Sequence, residues 1–319
     1  KTTYEMKRLV LLIHTFILVL FAISVSSWIK NRDALSISLK TKGLNQIYHQ
    51  DSMVNLVAIH KAITVENYFQ FMDSLVYKYD SLTSYKLTEH LLVRNNPWII
   101  DTLQNTDYYR MKAKDSFVYN QKEMIALPKG NLLMIPTSIK AKQLLTSFDK
   151  TYIDINIPEF KLRIYEDSML RYEFPIRVGR NTKKYLEMSG RIQNLKTKTG
   201  IGKIINHVRN PRYANPVNNH EYQLTKRDDG LVTKLPQIPF IETEINSLRY
   251  GQLIHPTTNP ETLGKAYSNG CIGTKEADAW VIYYYTPINT KINIRYDLET
   301  FTKKGDTIHL NDIYKTIKL

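Results

Sequence analysis

From Tyr152 onward the apolar residues alternate with polar ones, as in YIDINIPEFKLRIYEDSMLRYEFPIRVGR, whereas from about Ile47 to Tyr109 they return at helical spacing. A period of two suits a strand with one buried face, and a period near 3.6 suits a helix, so one regular element type cannot serve both halves. An α+β chain is therefore expected, helical in its first part and β-rich in its second. In the first part Thr64 reads as the N-cap of VENYFQFMDSLVYKYDSL, with Tyr68, Phe71, Met72, Leu75, Val76 and Tyr79 on one face. TSYKLTEHLLVRNN reads as a second helix, and PWIIDTLQN as a short third with Pro97 in its first turn. These stripes read as core, and the segment as a docking or spacing module, because none of them carries a chemical motif.

In the second part an acidic turn at Glu166-Asp167 predicts a hairpin, and TKTGIGKIINHV, GQLIHP and TKINIRYDL predict further strands. One helix is expected there, TKEADAWVIYYYT, opened by Thr274 with Glu276 and Asp278 in its first turn. The segment from Arg209 to Tyr250 is rich in Asn, Pro and turn residues and too long for a simple connection. It reads as a substrate-facing insertion or lid.

The N-terminus adds a location. Leu9 to Trp28, LVLLIHTFILVLFAISVSSW, contains no charged residue and follows Lys7 and Arg8. About 20 apolar residues make a helix of about 30 Å, the thickness of a bilayer core. The flanking cations orient the N-terminus to the cytoplasm and the rest outside it. Ala22, Ser24 and Ser26 would suit a signal peptidase, but the length favours an uncleaved anchor. The expected division is 1–30 anchor or signal, 31–150 helical stalk or accessory module, 151–298 β-rich domain and 299–319 C-terminal extension. A formal net charge of +14 favours anionic partners such as acidic lipids and cell-wall polymers. No basic block is interleaved with aromatics, so nucleic acid is not an expected partner.

An exported chain with a single cysteine cannot form an internal disulfide. That residue, Cys271, stands in SNGCIGT, a loop rather than a core strand. Gly270 and Gly273 permit a tight turn that presents the thiol, and the helix expected from Thr274 would turn its positive end towards it. His255, at the end of an expected strand, is the candidate general base, and the Gly270 and Cys271 N–H groups are candidate oxyanion donors. Such a set performs acyl transfer through a thioester. The other histidines of this half, His207, His220 and His309, lack metal-site spacing, so neither a metal nor a cofactor is expected.

HPTT followed by LGKAYSNGCIG resembles the active-site signature of the L,D-transpeptidases, the YkuD family, over about Tyr152 to Leu298. The matching positions are His255, Gly264, Ser268, Asn269, Gly270 and Cys271, and TKTGIGKI resembles an upstream T-P-T-G strand with Lys198 in place of proline. The resemblance implies a β-sandwich catalytic domain with one helix after the cysteine. It also implies attack by Cys271 on the third residue of a peptidoglycan stem tetrapeptide, release of D-Ala, and 3–3 cross-linking. With water as acceptor the same thioester would give L,D-carboxypeptidase activity. Ser268 would support the cysteine loop, Tyr250, Tyr267 and Asn269 would contact the stem peptide, and carbapenems would acylate the thiol. Two positions depart from the family pattern: Asn269 where His is frequent, and Gly273 where Arg is common. Arg249, Lys265 or Lys275 would supply the missing cation. A wall-binding scaffold that keeps the fold without catalysis is the alternative.

Overall fold

The computed structural model describes residues 56–302 and 304–316, so the apolar run Leu9–Trp28 lies outside the described residues. Among the described residues no helix is long and apolar enough to cross a membrane.

The alternation after residue 150 produces one large mixed sheet. Its strands are β1 (Thr151–Asn156), β2 (Lys161–Glu166), β3 (Met169–Pro175), β5 (Gly200–Val208), β6 (Phe240–Ile245), β7 (Leu253–Pro256), β9 (Ile272–Thr274) and β10 (Lys291–Arg295). They lie in the order β9-β7-β6-β5-β10-β1-β2-β3, parallel at β9/β7 and β10/β1 and antiparallel elsewhere. The expected hairpin is β2–β3, with Asp167 at φ 59° in its turn. A short parallel pair, β4 (Val178–Gly179) with β8 (Ala266–Ser268), stands outside the large sheet. The expected sandwich of two sheets is not what covers the core: among the described residues the other sheets have two strands each, and helices supply the second layer.

Those helices are α1 (Val65–Asp80), α2 (Glu89–Asn95), α3 (Trp98–Gln104), α4 (Tyr108–Lys112), α5 (Ser138–Asp149) and α6 (Glu276–Tyr285). Helix α1 buries Val65, Tyr68, Phe69, Met72 and Leu75, while Phe71, Val76 and Tyr79 are only partly covered, so the inward stripe is rotated from the expected one. The described residues form one compact unit in which the helical segment and the sheet share an apolar core. Helix α6 is the hinge of that arrangement. Every residue from Glu276 to Tyr284 is buried, as a helix enclosed between two layers requires. Tyr284 donates to Glu89 at 2.6 Å and its hydroxyl meets that of Tyr68 at 2.5 Å. Arg209, beyond β5, bonds both Glu89 and Asp73.

The first turn of α6 is satisfied by α4. Asp107 Oδ2 accepts the Ala277 N–H at 2.9 Å, and Glu276 accepts the Tyr108 N–H at 3.1 Å. Glu276 also pairs with Arg227, both side chains being 1% exposed. Thr274 is not the N-cap that the sequence suggests; it ends β9, and Lys275 precedes the helix without a side-chain cap bond. A carboxylate some 170 residues away in sequence replaces the local cap.

The segment expected to be one long insertion divides into three. Hairpins at Ala214–Glu221 and Leu224–Lys234 are followed by β6, a central strand of the sheet. The C-terminal extension forms a hairpin, Glu299–Phe301 with Thr307–His309, and then returns to the domain. There Tyr314 is buried and donates to Gly179 O at 2.8 Å.

Candidate active site

Strand β7 ends in His255-Pro256, and β9 runs parallel beside it with His255 in register with Gly273. Cys271 lies two residues before Gly273, hence on the same side of the pleat as His255. Both line one cleft of about 760 Å³. Tyr250, Tyr267, Ser268, Asn269 and Gly270 line it too, so the structure gathers all seven sequence-predicted positions at one place.

The cysteine loop is held from within and from outside. Ser268 Oγ donates to Cys271 O at 2.6 Å and accepts the Gly270 N–H at 3.2 Å, closing a turn. Gly270 takes φ +116°, which excludes a side chain without strain. Its N–H is therefore engaged by Ser268 rather than directed at an oxyanion, contrary to expectation. From outside, Thr197 Oγ1 donates to Gly270 O at 3.0 Å and accepts the Gly179 N–H at 2.8 Å. A Cβ on Gly179 would lie 2.0 Å from Leu195 O and 2.9 Å from Gly270 Cα. Only glycine allows β4 this close to the loop.

Gly273 has a similar explanation. Its backbone exchanges two hydrogen bonds with Arg177, at 2.9 and 3.0 Å, and a Cβ there would meet Arg177 Nε at 2.5 Å. The Arg177 side chain thus lies across Gly273 and into the cleft. It donates to Thr262 at 3.3 Å, and its buried Nε has no partner. The guanidinium beside the cysteine therefore comes from Arg177, the residue before β4, not from Lys265 or Lys275, which do not line the cleft. Arg249 lines the cleft but is exposed. The sequence signal for Arg177 was present only as FPIRVGR, one more alternating strand.

His255 is half-buried against Phe240, with ring centroids 4.9 Å apart, and its Nδ1 lies 2.9 Å from Pro256 O. A carbonyl accepts only, so Nδ1 carries the proton and Nε2 keeps its lone pair. Burial, then the Arg177 charge, push the imidazolium down to about 4, so the ring is neutral at neutral pH. Burial raises the Cys271 thiol above its ordinary value, with the Leu253 N–H and Arg177 pulling the other way. The expected help from the helix does not reach it, because β9 separates Cys271 from the start of α6. The resting pair is thiol and neutral imidazole, not thiolate and imidazolium. Alkylation of this single cysteine by iodoacetamide is accordingly expected to be slower at pH 7 than that of a free thiol and to rise about tenfold per pH unit from pH 6 to 9. A rate plateau between pH 5 and 7 would contradict the neutral pair.

Histidine 207 is removed from this chemistry: it stacks on His90 at 5.2 Å and meets Thr286 O at 3.1 Å. His220 lines a small hollow adjoining the cleft, with Asn218, Tyr222 and Asn269. Tyr267 lies under Arg180 and Tyr250 near Lys198, both rings exposed at the rim.

In this β-rich domain a cysteine between Gly270 and Gly273 and a strand-end histidine line one cleft, a set of groups that suits acyl transfer. Residues 150–294 match the YkuD family, the L,D-transpeptidase catalytic domain. Among solved structures, an L,D-transpeptidase from Mycobacterium smegmatis is 13% identical, with a TM-score of 0.32 over 46% of this chain and 58% of that one. One from Enterococcus faecium is 13% identical, with a TM-score of 0.30 over 46% and 50%. L,D-transpeptidase 3 from Mycobacterium tuberculosis, in complex with a faropenem-derived adduct, is 16% identical, with a TM-score of 0.31 over 46% and 60%. The chain spans less than two thirds of the length of each. No curated protein matches it.

Proposed function

We propose that the chain is a peptidoglycan L,D-transpeptidase that works through a Cys271 thioester. The observation that carries this reading is that Cys271 and a neutral His255 line one cleft, within the segment that matches the family. Sγ attacks the carbonyl of the third stem residue while His255 Nε2 takes the thiol proton. The C–N bond to D-Ala then breaks, and the imidazolium returns the proton to the departing amine. An acceptor amine next attacks the thioester, the C–S bond breaks, and the sulfur recovers its proton through His255. With a second stem as acceptor the product is a 3–3 cross-link; with water it is a shortened stem.

Because Gly270 N–H is occupied, the Cys271 N–H is the donor assigned to the oxyanion. The Arg177 guanidinium favours the thiolate as it forms, while the same charge opposes the imidazolium on His255. Ser268 holds the loop, and Tyr250, Tyr267 and Asn269 contact the stem. Domain 151–298 is assigned to catalysis, residues 31–150 to a helical stalk or accessory module whose described part, 56–150, supports α6, 299–319 to a C-terminal extension, and Leu9–Trp28 to a membrane anchor that leaves catalysis outside the cytoplasm. The test is D-Ala release from a synthetic stem tetrapeptide by the full chain. Release by wild type and none by Cys271→Ala is the expected result; equal release by both would refute the assignment.

A further inference from the structure

The cleft holding Cys271 and His255 is lined by five arginines and two lysines, and by no aspartate or glutamate. Arg212 is exposed and pairs with Glu221 at 3.1 Å. The other six, Arg177, Arg180, Arg191, Lys196, Lys198 and Arg249, form no ion pair among the described residues. Neutral groups hold some of them in place. Arg180 donates to the carbonyls of Tyr267 and Ser268 at 2.7 and 3.2 Å, and Lys196 to that of Tyr314 at 3.0 Å.

This is not the overall positive charge seen locally. Elsewhere most of the described arginines, Arg110 excepted, are matched: Arg94 with Glu166, Arg163 with Glu159 and Glu173, Arg171 with Glu166, Arg209 with Asp73 and Glu89, Arg227 with Glu276, Arg295 with Asp154. Inside the cleft no acid lines the wall among the described residues, and only Arg212 reaches one, Glu221. Cations of one sign on a concave wall repel one another and concentrate the field in the cavity, and a matching anion relieves that repulsion. They also come from separate segments: Arg177 and Arg180 flank β4, Lys196 and Lys198 precede β5, and Arg249 precedes β7. Such a spread fits several carboxylates along an extended peptide better than a single anion.

A stem tetrapeptide presents one carboxylate on its terminal D-Ala. It presents two more only when the second-residue glutamate and a diaminopimelate third residue are not amidated. We propose that this cleft selects donor stems whose second- and third-residue carboxylates are free, and discriminates against amidated stems and those with lysine at the third position. The proposal rests on the transpeptidase reading of the site, and its test separates the two.

Binding to full-chain Cys271→Ala, which cannot turn over, is measured by fluorescence anisotropy with two labelled tetrapeptides. One carries free carboxylates and the other carboxamides at the second and third residues. About tenfold or more tighter binding of the free form at ~0.1 M salt is expected. The ratio should shrink at high salt and when Lys198→Gln and Arg249→Gln are added. Equal affinity for the two peptides overturns the proposal, as does stronger competition by a glycerol-phosphate oligomer than by the free-carboxylate peptide. D-Ala release from the same peptides by wild type is read separately: a binding preference without release from either peptide removes the transpeptidase reading and leaves anion selection standing.

Discussion

Replacing Glu276 by alanine is expected to lower the stability of the folded chain by about 3–5 kcal/mol, because it strands the Arg227 charge in the interior. Both side chains are 1% exposed, and the pair is joined by bonds from Tyr108 N and Gln121 Nε2 to the same carboxylate. Arg227 is further fixed by Thr233 Oγ1 at 2.8 Å and by the Tyr108 ring 4.5 Å away. Burial pushes Glu276 upward and Arg227 opposes that shift, so the carboxylate depends on its partner. A double change, Arg227→Met with Glu276→Met, removes both charges and is expected to cost less than the single one. Urea unfolding of the full-length variants measures this; a loss under about 1 kcal/mol for Glu276→Ala would contradict the account. The effect reaches function as well. Glu276 opens α6 immediately after β9, so loosening it frees the strand that carries the cysteine loop.

The second large effect concerns His255. Among the described residues no other histidine, aspartate or glutamate lines the cleft, and His255→Ala is expected to lower kcat/KM for D-Ala release at pH 7 by about 10²- to 10⁴-fold. The sign of its pH dependence follows from the shifts. Burial holds the thiol above its ordinary value, so at pH 7 little thiolate forms unaided. Raising the pH supplies thiolate through hydroxide, and the gap between wild type and His255→Ala should narrow steadily towards pH 10. On the acid side the wild-type rate should hold down to about pH 5 and fall as His255 protonates near 4. A constant gap across pH 6–10 would mean that His255 positions the loop without moving a proton.

Residues 253–280 made the site legible in the sequence because its reacting groups lie within one short stretch. The nucleophile, the base and the loop-closing Ser268 are all local, and the alternation of β7 with the glycines of the loop sets their geometry. Arg177, Gly179 and Thr197 were not legible as site residues, since each acts through a contact with a segment distant in sequence. Arg177 is a further case in which position mattered more than type: Arg249, Lys265 and Lys275 were the expected cations, but a residue bridged to Gly273 from a distant segment supplies the charge. Strand β6 was hidden by its surroundings. FIETEI alternates cleanly, yet it follows a run of Asn and Pro that reads as loop. The helical segment was recognised as helical but not as support for α6, because Asp107 caps a helix that begins at Glu276. Capping across that separation leaves no pattern in the local sequence.

Acylation of Cys271 is read out by the intact mass of the full chain after incubation with a carbapenem. One equivalent of adduct on wild type, with none on Cys271→Ala, is the predicted result. An unmodified wild-type chain, or an adduct that persists in Cys271→Ala, would contradict it.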